Sequence, residues 1–247
     1  MRWILLATSA LCLALWIFFG NYAGPLGLPV PPLGSFMYPA TGFWHNAGSQ
    51  LVKPLTGELD LDPALAKGSI AYDDRGVPHI FAPDLESAVF LQGFVTARDR
   101  LWQMDISTRS TGGRLAEVLG PKLVDRDTKQ IRSGYRAAAR NTVKTWKANF
   151  PRDYRLTEAY AAGVNTFIDQ LDPNDYPLEF KLLDYAPEKW DLYKSALTTK
   201  GMSQSMTDRW SDAEASQALQ ELGREKYQAL FPEINPKQSP IVPAGTP

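Results

Sequence analysis

The 247-residue chain carries 26 Lys and Arg against 27 Asp and Glu, and 44% of it is hydrophobic. That content suits one folded domain with an N-terminal appendage, and the net charge of −1 excludes a global field drawing the chain to nucleic acid or anionic lipid. The single cysteine, Cys12, excludes an intrachain disulfide and a cysteine-built metal site. The two histidines, His45 and His79, stand in no metal-ligand spacing, which argues against a zinc enzyme.

After Arg2 the run from Trp3 to Phe19 is uncharged. A membrane helix wants about 20 apolar residues and a signal-peptide core about 7–15. The run is long for a cleaved signal and no clear small-x-small cleavage site follows it. Residues 1–20 therefore read as an uncleaved anchor, with a cleaved signal as the alternative. Arg2 belongs on the cytoplasmic side, which sends the rest to the periplasmic or extracellular side. Residues 21–54 form a Pro/Gly/aromatic-rich connector, unable to build a helix or a central strand over Pro25 to Pro39. Its aromatics, Phe43 and Trp44 among them, are expected to pack on the domain rather than at the membrane interface.

Residues 55–247 read as one mainly helical α+β domain. Ile70-Ala71-Tyr72 and Val77-Pro78-His79-Ile80-Phe81 flank the turn Asp73-Asp74-Arg75-Gly76. This predicts a hairpin with Pro78 on an edge or at a strand start. Asp84 is the expected N-cap of a helix with Leu85, Ala88, Val89, Leu91, Gln92 and Val95 on its inner face. A second helical stretch runs through Arg100 to Met104 and reaches Gly112-Gly113. Arg114 to Gly120 is a short helix closed by glycine. Arg155 to Leu171 is amphipathic, with Leu156, Ala159, Tyr160, Val164, Phe167 and Leu171 inward, and Asp172-Pro173-Asn174 ends it. Pro177 to Trp190 reads as irregular. Helices are expected from Leu192 to about Met206 and from Asp212 to Leu230, before a proline-rich tail.

These residues spell an ordered string. It comprises Tyr72-Asp73-Asp74-Arg75-Gly76-Val77-Pro78-His79-Ile80, Gly93-Phe94-Val95-Thr96-Ala97-Arg98-Asp99-Arg100-Leu101-Trp102-Gln103-Met104-Asp105, then Arg109 and Gly113 to Gly120. Tyr160-Ala161-Ala162-Gly163-Val164-Asn165 and Leu230-Phe231-Pro232-Glu233 complete it. Over about residues 55–245 this resembles the α chains of the penicillin acylase family, which belongs to the N-terminal-nucleophile hydrolases. The resemblance implies the α-chain portion of a four-layer αββα sandwich. It implies a heterodimer in which a separate β chain begins with the serine nucleophile, that serine's own α-amine acting as base. It also implies acyl transfer from linear amides to water, on penicillin-type side-chain amides, acyl-homoserine lactones or related N-acyl compounds. Nothing after Pro232 resembles a β-chain start, so the sequence is expected to be a separately encoded or truncated α portion, or a piece of a longer precursor, inactive alone.

By that resemblance Met206, Arg209 and Trp210 line the acyl pocket. Met206 and Trp210 stand one turn apart as an apolar wall, and Arg209 meets a polar or carboxylate group; the alternative is that the Met/Trp pair is core. Glu214, with Asp212 as fallback, falls where the family places a calcium-binding carboxylate, which the β chain would have to complete, or is a solvated helix acid. No organic cofactor is expected. His79 reads as structural rather than a triad member, and Arg98, Asp99 and Arg100 as paired charges fixing their helix. Arg132, Arg136, Arg140 and Lys144, with Lys147 next, fall at i,i+4 spacing as a basic stripe on a helix. The stripe is either a solvated face or a contact for lipid headgroups or nucleic acid, and it supports a rival reading as a non-catalytic, membrane-anchored binding module. Nucleic acid is not expected as a partner beyond an export anchor.

Overall fold

The computed structural model describes residues 7–15, 37–38, 42–48, 57–59, 67–207 and 212–232. Their packing separates into two units, residues up to Gln204 and residues from Ser205 onward. Residues 7–15 are helical and exposed. They are the described part of the expected anchor, whose remainder lies outside the described residues. Among the described residues no helix is long and apolar enough to cross a membrane.

The first unit begins with a one-and-a-half-turn helix α1 (Phe43–Gly48), which belongs to the connector and docks on the domain as expected. His45 Nε2 lies 2.9 Å from Asp175 Oδ1, and Asn46 donates to the Tyr176 carbonyl at 2.9 Å. Lys181 Nζ donates to Asn46 Oδ1 at 2.7 Å and to the Asn174 carbonyl at 2.6 Å. Of the connector aromatics among the described residues, Phe43 is half-buried, and Tyr38 and Trp44 are exposed rather than packed as expected.

Strands β1 (Gly57–Leu59), β2 (Ser69–Tyr72) and β3 (Pro78–Phe81) form an antiparallel sheet in the order β1-β2-β3, with Ile70 opposite Ile80. The predicted hairpin is therefore β2–β3, and Pro78, which has no N–H to give, opens the edge strand. Asp73 organises the turn. Its Oδ1 accepts from the Arg75 and Val77 amides at 2.9 and 2.8 Å, and its Oδ2 lies 3.3 Å from His79 Nε2. These amides hold the Asp73 carboxyl below its ordinary range, Val77 foremost. His79 is thus a strand-holding residue.

Asp84 caps α2 (Leu85–Gly112), accepting from the Ser87 amide at 2.7 Å. The two helical stretches read from the sequence are one 28-residue helix kinked at Arg100, whose φ of −142° and ψ of 19° leave the helical region. The expected inner face is corrected. Leu85 and Gln92 are exposed, whereas Leu91, Phe94, Val95 and Ala97 are buried, followed past the kink by Leu101, Asp105, Thr108 and Arg109. The chain then runs through α3 (Ala116–Leu119), α4 (Val124–Arg132), α5 (Tyr135–Asn149), α6 (Pro151–Gln170), α7 (Leu178–Leu182) and α8 (Leu192–Met206). The short α7 lies inside the stretch expected to be irregular; it is there because Phe180 is fully buried between Tyr176 and Tyr185.

The core is the crossing of α2 and α6 over the sheet, with Ile70, Leu91 and Val164 fully buried and Phe94 edge-on to Phe167 at 5.5 Å. Two glycines permit the close approach. A Cβ at Gly163 would fall 1.9 Å from the Phe90 carbonyl oxygen, and one at Gly93 2.2 Å from that of Tyr160. Both contacts are with helix backbone, which cannot swing away as a side chain would.

The basic stripe is also corrected. Gly134, at φ 84°, breaks the helix between Arg132, the last residue of α4, and Arg136 in α5. Arg136 turns inward and donates to the Gly112 and Gly113 carbonyls, capping the end of α2. Arg140 stands 5.9 Å over the Tyr193 ring. The i,i+4 spacing spans two helices, and its members do different jobs.

The second unit contributes the end of α8 and helix α9 (Asp212–Leu230), which has no buried residue and breaks at Gly223, φ 73°.

Gly163→Ala should separate α2 from α6 and lower stability by about 1–2 kcal/mol in urea unfolding. Overpacking costs about 1–3 kcal/mol and the gain in helix propensity offsets up to about 1.

Candidate functional site

The second half of α2 is held by one buried cation. Arg109 is 4% exposed; its Nε donates to Asp105 Oδ2 at 2.7 Å, one turn back, and Asp105 is 5% exposed. The other guanidinium nitrogens reach Glu117 Oε2 and Glu188 Oε1, each at 2.8 Å. Arg114 closes the ring, bonding both carboxylates, with Nη2 2.7 Å from Glu117 Oε2 and from Glu188 Oε1. Tyr185 donates to Asp105 Oδ2 at 3.0 Å, and Lys194 lies 3.1 Å from Glu188 Oε2. Two stretches distant in sequence are fastened at this point: α2 with the Arg114–Glu117 turn after it, and the Tyr185–Glu188 loop with α8 after it.

The electrostatics follow from those partners. The Glu188 carboxyl is held down to about 2 from an ordinary 4.5, first by the Arg114 hydrogen bond and then by Lys194 and Arg109. Glu117 is lowered as well, again chiefly by Arg114. Burial disfavours the Arg109 charge, but Asp105 and Glu188 outweigh it and its proton is held more firmly than usual. Burial, then the Asp105 charge, pushes the Tyr185 hydroxyl up. Asp127, buried at the back, accepts from the Ala116 amide at 2.6 Å and so caps α3.

Beside this network α2, α5, α6 and α8 enclose a groove of about 590 Å³. Its walls are the Trp146, Tyr160 and Trp190 rings with Met104 and Leu156, and no charged residue lines it.

Of the sequence-predicted site residues, Met206 ends α8 and is 80% exposed, and Arg209 and Trp210 lie outside the described residues. Glu214 and Asp212 are exposed on the first turn of α9. Two positions apart on a helix, they do not face one another. Among the described residues no group of three His, Cys, Asp or Glu side chains is arranged to hold a metal ion. Calcium wants six to eight oxygens, so these residues do not by themselves fit a calcium site. Arg98 does pair as expected, with Asp99 Oδ1 at 3.0 Å and with the Tyr72 hydroxyl at 3.1 Å, which ties the helix to β2. Sequence reading missed Glu188 and the groove. The available signal for the network was Asp105 and Arg109 at i,i+4 on a face otherwise apolar.

Together these features define a mainly helical α+β domain, built on a long kinked helix locked by a buried arginine. A model of the penicillin amidase family matches residues 67–241. The chain is 35% identical to penicillin G acylase of Escherichia coli over 159 residues, which is 61% of this chain and 18% of that protein. It is 28% identical to acyl-homoserine lactone acylase QuiP of Pseudomonas syringae pv. tomato over 213 residues, 83% of this chain and 25% of the relative. In three dimensions it matches a thermostable penicillin G acylase from Alcaligenes faecalis with a TM-score of 0.61 at 27% identity, covering 73% of this chain and 97% of that one. The chain belongs to the penicillin amidase family, and it spans a quarter or less of the length of these curated relatives.

Arg109→Ala should cost about 3–5 kcal/mol in urea unfolding, because Asp105 stays buried without its partner. Glu188 titrates lower in the folded state than unfolded, so its contribution is present above about pH 4.5 and is lost as pH falls toward 2. Glu188→Gln should therefore lower stability at pH 7 and flatten the acid limb of a stability–pH curve in that window.

Proposed function

We propose that this chain is the α-type portion of an amidohydrolase that cleaves linear amide bonds of N-acyl compounds. The observation that carries the reading is the pairing of two coverages. The matched span is a quarter or less of the curated acylases, yet it is nearly all of a solved penicillin acylase chain. A family protein therefore exists in which this span is a polypeptide of its own. The relatives' names supply the substrate classes: penicillin-type side-chain amides and acyl-homoserine lactones.

In this reading a β-type companion supplies an N-terminal serine. Its hydroxyl attacks the amide carbonyl while its α-amine takes the proton, the amine leaves, and water then hydrolyses the acyl ester. Met206, Arg209 and Trp210 form the acyl-pocket wall, and no catalytic residue is assigned to this chain. Glu214 would give a shared calcium one carboxylate, the companion the rest, and no step runs through the metal. Residues 1–20 tether the assembly to a membrane, on the periplasmic or extracellular side. The rival reading, a membrane-tethered binding module, keeps a shorter basic stripe, because the break at Gly134 detaches Arg132 while Arg140, Lys144 and Lys147 stay exposed on α5.

Purification of the protein from its source should bring down a larger companion, and N-terminal sequencing should show that it begins with serine. The assembly should release amine from a phenylacetyl or acyl-homoserine lactone substrate, whereas the 247-residue chain alone should release none. Trp210→Ala in the assembly should raise KM more than it lowers kcat. A chain recovered alone, with amidase activity or with none in any fraction containing it, would refute the division of labour.

A further inference from the structure

The groove between α2, α5, α6 and α8 has a chemistry that the proposed reaction does not use. Charged residues make up 21% of the chain, yet none lines the groove. A solvated surface cleft of this size ordinarily includes charge; one without it is suited to an uncharged occupant, since burying an ion there goes uncompensated. Its volume falls within the range of small-molecule pockets, and a meeting of several helices is a common place for one.

The polar groups on the lining narrow the ligand further. Thr96, Thr157, Thr198 and Thr199 each donate to a carbonyl one turn back in their own helix, at 2.7, 2.8, 3.0 and 3.2 Å. Ser195 accepts from Trp190 Nε1 at 2.9 Å. With their donors committed inward, the four threonine hydroxyls have no donor left for a ligand. Three lining groups differ: the Trp146 indole N–H, which has no acceptor among the described residues, and the side chains of Gln103 and Ser107. Gln103 and Ser107, exposed and one turn apart on α2, make no hydrogen bond among the described residues. Their spacing puts a carboxamide and a hydroxyl side by side on the wall that α2 gives to the groove. That pair suits one carbonyl or amide head, and the Trp146, Tyr160 and Trp190 rings suit the apolar body attached to it.

We propose that this groove is a binding site for a neutral acyl compound, its amide or carbonyl head held by Gln103 and Ser107 and its apolar chain lying along the three rings. Gln103 donates through its N–H group to the ligand carbonyl oxygen, and Ser107 donates to that oxygen or accepts from the ligand N–H. The site discriminates by charge. An amide enters, and the corresponding carboxylate loses its hydration without gaining a cation. The claim concerns binding alone, so it stands or falls apart from the amidase reading.

The test is photoaffinity labelling of the protein as purified from its source, with any companion in place, using octanamide that carries a diazirine at its far end. Saturable labelling should map by peptide mass spectrometry to segments containing Trp146, Leu156 to Tyr160, or Thr198 and Thr199. Free octanamide should compete, and octanoate should compete at least about tenfold less well. Gln103→Leu, an exposed and nearly isosteric change, should weaken labelling about fivefold, the weight of one hydrogen bond. Thr199→Trp, which fills the groove from an exposed helix position, should abolish it, with circular dichroism confirming that both variants fold. Labelling that does not saturate, survives Thr199→Trp, maps elsewhere or is competed equally by octanoate would overturn the proposal. So would the absence of labelling because a companion chain covers the groove. Because the readout needs no turnover, an inactive preparation that still labels saturably in the groove separates this site from the fate of the amidase reading.

Discussion

The burial of Arg109 is the constraint on which the rest of the structure depends. A guanidinium cannot be taken out of water unless its donors are all met by fixed acceptors. Asp105 on its own helix meets one side, while Glu117 comes from the turn just after α2 and Glu188 from a loop 79 residues on. Satisfying one cation thus fixes where α2 ends, where the chain turns into α3 and where the loop before α8 passes. The outer cations Arg114 and Lys194 complete the pairing, so both oxygens of Glu117 and both of Glu188 are met.

The close crossing of α2 and α6 is the second constraint and works by shape rather than charge. Glycine at 93 and at 163 lets each helix approach the other's backbone, and the apolar rings of Phe94 and Phe167 lock the contact. Between this crossing and the arginine network α2 kinks at Arg100, which lets one helix serve both the sheet-side core and the polar lock. The Trp/Tyr groove opens on the flank of that same arrangement, so its rings are held by the elements that the lock positions.

The two units differ in how they are stabilised. The first carries the core and the ion network. The second, as α9, has no buried residue, and its apolar side chains Leu219, Leu222 and Leu230 are exposed. An amphipathic helix of that kind gains little from propensity alone and is ordinarily held by packing against something else.

Local chemistry was legible in the sequence. The Asp73 turn, the Asp84 cap, the glycine at 120 and the bounds of α8 and α9 follow from interactions within a few residues, and so they could be read from spacing alone. The ordered string of motifs likewise carried the family. What only the tertiary structure decided concerns partners far apart in the chain. Arg109 and Gly163 were visible as motif letters, but the carboxylate at Glu188 and the carbonyl of Phe90 that explain them lie 79 and 73 positions away. The basic spacing from Arg132 to Lys144 was real as a spacing. It shortened to Arg140, Lys144 and Lys147 because Gly134 turned the chain after Arg132 and Arg136 found the carbonyls of Gly112 and Gly113. Spacing determines which side chains share a helix face only while the helix continues; Gly134 ends it locally, at φ 84°, and the contacts of Arg136 with α2 are what the tertiary structure added.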